Sequence, residues 1–269
     1  MILVTRPGPA GLHLTQQLRA RDRSAHWWPA FDILPPADPA HLQAVAQAID
    51  AYDLVVFVSP LAVQGFAAAL GAAAAWPATT VLAGVGAATL QAARQLPGAQ
   101  AARGLAPGAS AAEGGSEALW PAVAALRPLP RRALIVRAQA GRDWLAQRLA
   151  QAGVAVEEVE AYQRHEHRPA PQDWAALRAA RAQGQQLAVL FSSSEAVALL
   201  GPALRADPEL LPWVDGGVAL AVHPRIEQAL RAAGWRDVRG CAASVESIAA
   251  ALAGEGAVPA GARPVTGIS

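Results

Sequence analysis

The sequence predicts an α/β protein made of two similar parallel-sheet domains of the doubly wound kind. Three observations carry this reading. Apolar runs such as Leu54–Val58 and Leu187–Phe191 are unbroken, as suits strands covered on both faces of a parallel sheet. They alternate with stretches of helical spacing, for example Leu42, Val45, Ala46 and Ile49. The order of elements also recurs: Leu3-Val4-Thr5-Arg6 returns as Leu134-Ile135-Val136-Arg137.

Taken in order, Ile2–Thr5 is a strand stopped by the turn Arg6-Pro7-Gly8, and Leu12, Leu14 and Leu18 follow on a helix. His26–Ile33 reads as one strand, with Leu34-Pro35-Pro36 as a stiff connector to the helix of Leu42–Ile49. After the strand Leu54–Val58, Ser59-Pro60 leads into the helix Ala62–Leu70, with Pro in a first-turn position. Thr80–Val85 is a strand, and residues Gly86 to Thr89 open a helix reaching Leu96. Gln100–Arg103 is a short strand, and Ser116–Leu126 is a helix with Glu117 in its first turn. Arg127–Arg132 is a proline-punctuated joint.

From Ala133 the order repeats: a strand, a polar turn with Arg137, Gly141 and Arg142, an amphipathic helix, and a strand ending on Tyr162. Leu187–Phe191 with Ser192, Ser193 and Ser194 echoes Leu54–Ser59. Val218–Val222 with His223, Pro224 and Arg225 echoes Val81–Thr89, while Asp237–Gly240 and Ser244–Leu252 echo Gln100–Gly104 and Ser116–Leu126. Tandem duplication is the simplest account. The Gly-, Pro- and Ala-rich tail, residues 254–269, is expected to be disordered. Periodicity leaves two assemblies open. The copies could be sequential, or their first two strands could exchange, with Pro29–Ala37 and Gln163–Pro171 crossing.

Composition narrows the chemistry. With 53% apolar residues and 16% charged, the 269-residue chain can build real cores. A net charge of +1 gives no reason to expect nucleic acid or an acidic membrane surface. All 22 basic residues are arginine, so Schiff-base chemistry, pyridoxal phosphate attachment and a Walker-type phosphate loop are excluded. The single cysteine, Cys241, excludes an internal disulfide and a cysteine metal cluster. No cofactor is expected. The opening residues show no basic flank, long apolar run or cleavage site, and no apolar run reaches a membrane span. A cytoplasmic monomer is the expectation.

Loops at the carboxyl ends of parallel strands line the ligand crevice of such sheets. Polar groups recur there, the candidate substrate contacts: Thr5 and Arg6, Ser59, the stretch Gly86-Ala87-Ala88-Thr89, Arg137, Gly141 and Arg142, Ser192 to Ser194, and His223 with Arg225. Several open helices, whose free N–H groups favour anions. For any single Ser or Thr, helix capping is the competing reading. Arg137 and Arg142 straddle a turn and suit a carboxylate clamp or a surface salt bridge. His223 either meets a carboxylate or caps a helix. His165 and His167 around Glu166 make a weak metal signal, better read as a solvated face. Tyr162 is a core aromatic or, if it faces the crevice, a phenol able to donate a proton. No dinucleotide fingerprint and no nucleophile elbow is present.

Six stretches together resemble the uroporphyrinogen-III synthase family: ILVTRP at the start, YDLVVFVSPLAV at Tyr52–Val63, VLAGVGAAT at Val81–Thr89, LIVRAQAGRDWL at Leu134–Leu145, VEAYQR at Val159–Arg164 and VLFSSSEAV at Val189–Val197. The resemblance implies the exchanged assembly. Residues 1–34 plus 169–253 would form one domain and 37–162 the other, joined by two antiparallel β segments with a cleft between. The family's tyrosine falls on Tyr162, its threonine on Thr89, and its strand-end serines on Ser59 and Ser192. At His223-Pro224-Arg225 the chain departs from the small hydroxyl residues the family leads one to expect. The implied substrate is hydroxymethylbilane, a linear tetrapyrrole with eight carboxylates, cyclised with inversion of its last ring. A non-catalytic cytoplasmic two-lobed binding protein for a polycarboxylate or tetrapyrrole is the alternative.

Overall fold

The computed structural model describes residues 1–71, 75–108 and 115–254, and within them strands and helices alternate as the apolar pattern requires. The opening elements are β1 (Ile2–Val4), α1 (Gly8–Arg19), β2 (Ala25–Trp27), β3 (Phe31–Leu34), α2 (Pro39–Gln47), β4 (Leu54–Phe57) and α3 (Pro60–Leu70). Next come β5 (Val81–Gly84), α4 (Ala87–Ala93), β6 (Gly104–Leu105), α5 (Ser116–Ala124), β7 (Arg132–Ala138), α6 (Trp144–Gln151) and β8 (Ala155–Glu166). The remainder are α7 (Pro171–Ala182), β9 (Ala188–Phe191), α8 (Ser194–Arg205), α9 (Leu211–Asp215), β10 (Val218–Ala221), α10 (Pro224–Ala232), β11 (Asp237–Gly240) and α11 (Val245–Ala253). All but residue 254 of the expected disordered tail lies outside the described residues.

These elements form two units, one of Met1–Asp32 with the chain from His165 onward, the other Ile33–Arg164. The first holds a five-stranded sheet in the order β11-β10-β9-β1-β2, parallel throughout. Counted along the unit, that order is 2-1-3-4-5, a doubly wound sheet whose winding reverses between β1 and β9. The second unit holds a six-stranded sheet, β3-β8-β7-β4-β5-β6, parallel from β8 to β6. Its reversal falls between β7 and β4.

Position for position, β2-β1-β9-β10-β11 answers β8-β7-β4-β5-β6. The sequence repeat matches β1 to β7, β4 to β9, β5 to β10 and β6 to β11. Each copy's first two strands therefore lie in the sheet that the other copy's last three build. Sheet order selects the exchanged arrangement.

Burial explains why the central strands are so apolar. Leu54 and Val56 pack in one core with Ala133 and Ile135, while Val55 and Phe57 pack in another with Leu134 and Val136. Alternate residues of β4 and β7 thus face opposite sides of the sheet, and both sides are covered.

Besides helix ends that fall a turn or less short, three boundaries differ from the sequence reading. His26–Ile33 is two strands, not one. Trp28 and Ala30 still donate backbone bonds to Val4 and Thr5, at 3.0 and 2.9 Å, but Pro29 has no N–H to offer, and β3 then joins the other sheet. Gln100–Arg103 is not the edge strand. Gly98 turns left-handed (φ 73°), Ala99–Ala101 make a 3₁₀ turn, and pairing with β5 begins only at Gly104. The strand expected to end on Tyr162 continues to Glu166.

Candidate functional site

The loops at the carboxyl ends of the strands divide into two sets, one for each unit. In the second unit, β4 leads to Ser59, the N-cap of α3, whose Oγ accepts the Ala62 N–H at 3.1 Å. The same Oγ lies 3.1 Å from the Tyr162 hydroxyl. A bulge makes this possible. The β7–β8 ladder pairs Arg137 with Glu160, then skips Ala161 to pair Ala138 with Tyr162. Strict alternation would send Ala161 and Tyr162 to opposite faces; the extra residue re-aims the phenol. Ala161 and Tyr162 consequently share one core, and Tyr162 is 7% exposed. Helix α3 lies hard against this bulge, because a Cβ on Gly65 would sit 2.2 Å from the Ala161 carbonyl oxygen.

Beyond β5, Gly86 caps α4 without a side chain, so Ala87 and Thr89 stand in a first turn whose N–H groups no side chain satisfies. The Thr89 side chain is buried. Near the end of β7, Arg137 donates to Asp143 Oδ1 at 2.7 Å and also to Glu158. Desolvation acts against its charge, but the bonds to Asp143 and Glu158 outweigh it and hold the guanidinium above its ordinary pKa. Gly141 gives this side chain room, since a Cβ there would meet Arg137 Nη2 at 2.8 Å. Arg142 is far more exposed and pairs with Glu117 at 2.7 Å. An open hollow of about 410 Å³ borders Arg137 and Gly141, with Asp143, Glu158 and Glu160 also on its wall. Three carboxylates to one guanidinium give it a field that opposes anions.

The edge of the first unit is built differently. Thr5, 1% exposed, spends its hydroxyl on the Leu190 carbonyl at 2.8 Å, tying β1 to β9 across the reversal point. The Arg6 carbonyl accepts the Trp27 indole N–H at 2.9 Å, and the Arg6 guanidinium has no carboxylate partner among the described residues. Gly11 makes the turn possible, as a Cβ there would lie 1.8 Å from the Arg6 oxygen. Ser192 follows β9, Ser193 caps α8 by accepting the Ala196 N–H at 3.1 Å, and Ser194 opens that helix. His223 caps α10, its Nδ1 accepting the Arg225 N–H at 3.2 Å, which leaves the ring proton on Nε2. The exposed Arg225 side chain has no carboxylate partner among the described residues.

The structure thus brings Ser59 and Tyr162 together, and Thr5 with the strand that leads to Ser192. The carboxylates that occupy the arginines, Asp143, Glu158 and Glu117, were missed from sequence. Glu158 reaches Arg137 diagonally across the ladder, since it pairs with Ile135 and Glu160 pairs with Arg137, a register that no local sequence pattern marks. His167 Nδ1 lies 2.8 Å from Asp32 Oδ1, and no group of three or more His, Cys, Asp or Glu able to hold a metal occurs among the described residues. Burial pushes the Cys241 thiol up to about 11, which makes it a poor nucleophile. Among the described residues, no helix is long and apolar enough to cross a membrane.

The sequence model of uroporphyrinogen-III synthase HemD matches residues 13–250, most of the chain and parts of both units. The chain belongs to the uroporphyrinogen-III synthase family. No curated protein matches it in sequence. Among solved structures, a mutant uroporphyrinogen III synthase from Thermus thermophilus is similar at 19% identity and a TM-score of 0.52, over 88% of this chain and 91% of that one. Uroporphyrinogen-III synthetase from Helicobacter pylori is similar at 11% identity and a TM-score of 0.52, over 94% and 97%. At these identities the likeness supports the two-domain α/β fold alone.

Proposed function

We propose that the chain is a uroporphyrinogen-III synthase, which cyclises hydroxymethylbilane with loss of water and inversion of the last ring. The observation that carries this reading is family membership across residues 13–250. The Ser59–Tyr162 pair adds a chemically competent group at a strand end.

The reaction needs two things from the protein. The first is a weak acid at the leaving hydroxyl, since loss of that group as water makes the first ring an electrophilic azafulvene. In this reading Tyr162 donates to that hydroxyl. The second is control over which carbon of the last ring attacks. Attack at the substituted carbon, through a spiro intermediate, gives the type III isomer, whereas free substrate closes unrearranged to type I. Each tenfold of isomer preference corresponds to about 1.4 kcal/mol of barrier difference. Binding, not strong acid–base chemistry, supplies that preference.

The substrate is a polyanion, and the strand-end groups suit its carboxylates. Arg6 and Arg225 carry uncompensated charge. Ser192, Ser193 and Ser194 offer hydroxyls and a helix start, and Ala87 and Thr89 offer first-turn N–H groups. Thr5, Gly141 and His223 serve mainly by shaping their turns. Arg137 and Arg142 hold substrate carboxylates only by exchanging Asp143, Glu158 or Glu117 for them. We read the enzyme as a cytoplasmic monomer that needs no cofactor or metal.

The test is direct. The purified chain is given hydroxymethylbilane, the product is oxidised, and type I and type III isomers are separated by chromatography. Predominantly type III is expected. Type I alone, at the spontaneous rate, would leave a binding protein in place of an enzyme.

A further inference from the structure

We propose that Ser59 is a positioning residue that donates its hydroxyl proton to the Tyr162 oxygen, so that the phenol keeps its own proton for the substrate. This rests on the synthase reading and deepens it, because distance alone leaves the direction of that bond open.

The surroundings of Ser59 decide the direction. Its oxygen already accepts the Ala62 N–H at 3.1 Å, on the side facing the start of α3. That side carries the positive end of an 11-residue helix, so the hydroxyl proton turns away from it. Tyr162 is the only other side-chain partner of Ser59 among the described residues. Donation to Tyr162 fills both roles of the serine hydroxyl. The reverse direction would leave its proton without an acceptor in a part-buried place. A hydroxyl that accepts from an N–H is also polarised into a better donor, and the chain Ala62 N–H to Ser59 to Tyr162 then points one way.

Two backbone features hold the oxygens in range. The bulge at Ala161 turns Tyr162 toward α3, and Gly65 lets α3 approach the Ala161 carbonyl more closely than any side chain permits. The device therefore comprises a helix start, a serine, a bulge and a glycine. It carries the helix's partial positive charge to the phenol oxygen, where negative charge develops as the proton leaves.

The chain has only two tyrosines, which gives a readout independent of turnover. In a Tyr52→Phe background, the tyrosine Raman Fermi doublet reports Tyr162 alone. Its intensity ratio rises when a phenol oxygen accepts a hydrogen bond and falls when the phenol only donates. The expected ratio is high, drops in Ser59→Ala and returns in Ser59→Thr, which keeps both the cap and the donor. A low ratio with Ser59 present, or one indifferent to Ser59→Ala, overturns the proposal. In kinetics, Ser59→Ala is expected to lower kcat about tenfold, the size of one hydrogen bond, with little change in KM. It should cost nothing further in a Tyr162→Phe chain. Unchanged kcat in Ser59→Ala, while the unsubstituted chain makes type III, overturns the catalytic role alone. Type I alone from the unsubstituted chain overturns the synthase reading and that role with it, while the Raman result still decides the direction of the bond.

Discussion

The two sheets share one frame, and their carboxyl edges use it in opposite ways. In the Ile33–Arg164 unit the arginines are already neutralised, Arg137 by Asp143 and Glu158, Arg142 by Glu117, while a serine and a tyrosine hydroxyl face each other. In the other unit, three hydroxyl or imidazole groups take structural bonds: Thr5 to the Leu190 carbonyl, and Ser193 and His223 in helix caps. There the guanidiniums of Arg6 and Arg225 have no acid beside them among the described residues. The same strand order occurs twice, with different side chains along its carboxyl edge. On the proposed reading, one edge is suited to moving a proton and the other to holding negative charge.

The sharpest way to break this contrast is Tyr162→Phe. Loss of the phenol should lower kcat by about 10²-fold or more, with the type III share falling and substrate affinity kept. Unchanged turnover and isomer ratio would remove Tyr162 from the chemistry. The two wedge glycines come next. Gly11→Ala and Gly65→Ala should each destabilise the protein by about 1–3 kcal/mol, read as a lower denaturant midpoint. The contrast predicts a split between them: Gly11→Ala disturbs the Arg6 turn and raises KM, whereas Gly65→Ala disturbs the Tyr162 bulge and lowers kcat. If both move the same parameter, the division of labour is wrong.

Charge removal has a smaller effect. Arg6→Gln and Arg225→Gln should each raise KM about threefold to tenfold without touching kcat, and weaken its dependence on salt. Arg137→Gln should instead cost stability, about 1–3 kcal/mol, since it strips the partner from two carboxylates. Smallest is a pH effect away from either edge. The Tyr52 phenol, buried and donating to Glu157 at 2.6 Å, is pushed up from 10.0 to about 12, by desolvation first and by that bond second. The folded state therefore binds the proton more tightly than the unfolded state. Its contribution to stability is complete below pH 10 and is lost as pH rises to about 12. Tyr52→Phe should flatten that part of the alkaline unfolding curve.

The frame was legible because it is written in period and repetition. LVVFV at Leu54–Val58 needs two covered faces, and the return of Leu3–Arg6 as Leu134–Arg137 announces the second copy. Pro29 also carried a legible signal, since a residue without an N–H inside an apparent strand marks the place where β2 ends. The Tyr162 environment was not legible in the same way. Its orientation depends on one unpaired residue in a ladder whose register is set by β7, more than twenty positions earlier in the chain. Nor could local pattern show that Arg137 was occupied, because Glu158 reaches it across strands and Asp143 across a turn. Pairing across a sheet leaves no local trace.

The strand exchange also governs how the chain emerges during synthesis. β1 is made first, yet Thr5 bonds to Leu190, 185 residues later. At roughly 5–20 residues per second, the ribosome delivers that partner about 10 to 40 s after β1. The Ile33–Arg164 unit, being continuous, has all its strands by then and can fold as it appears. The amino-terminal strands stay unpaired on the β9 side until the last third of the chain arrives to close their sheet.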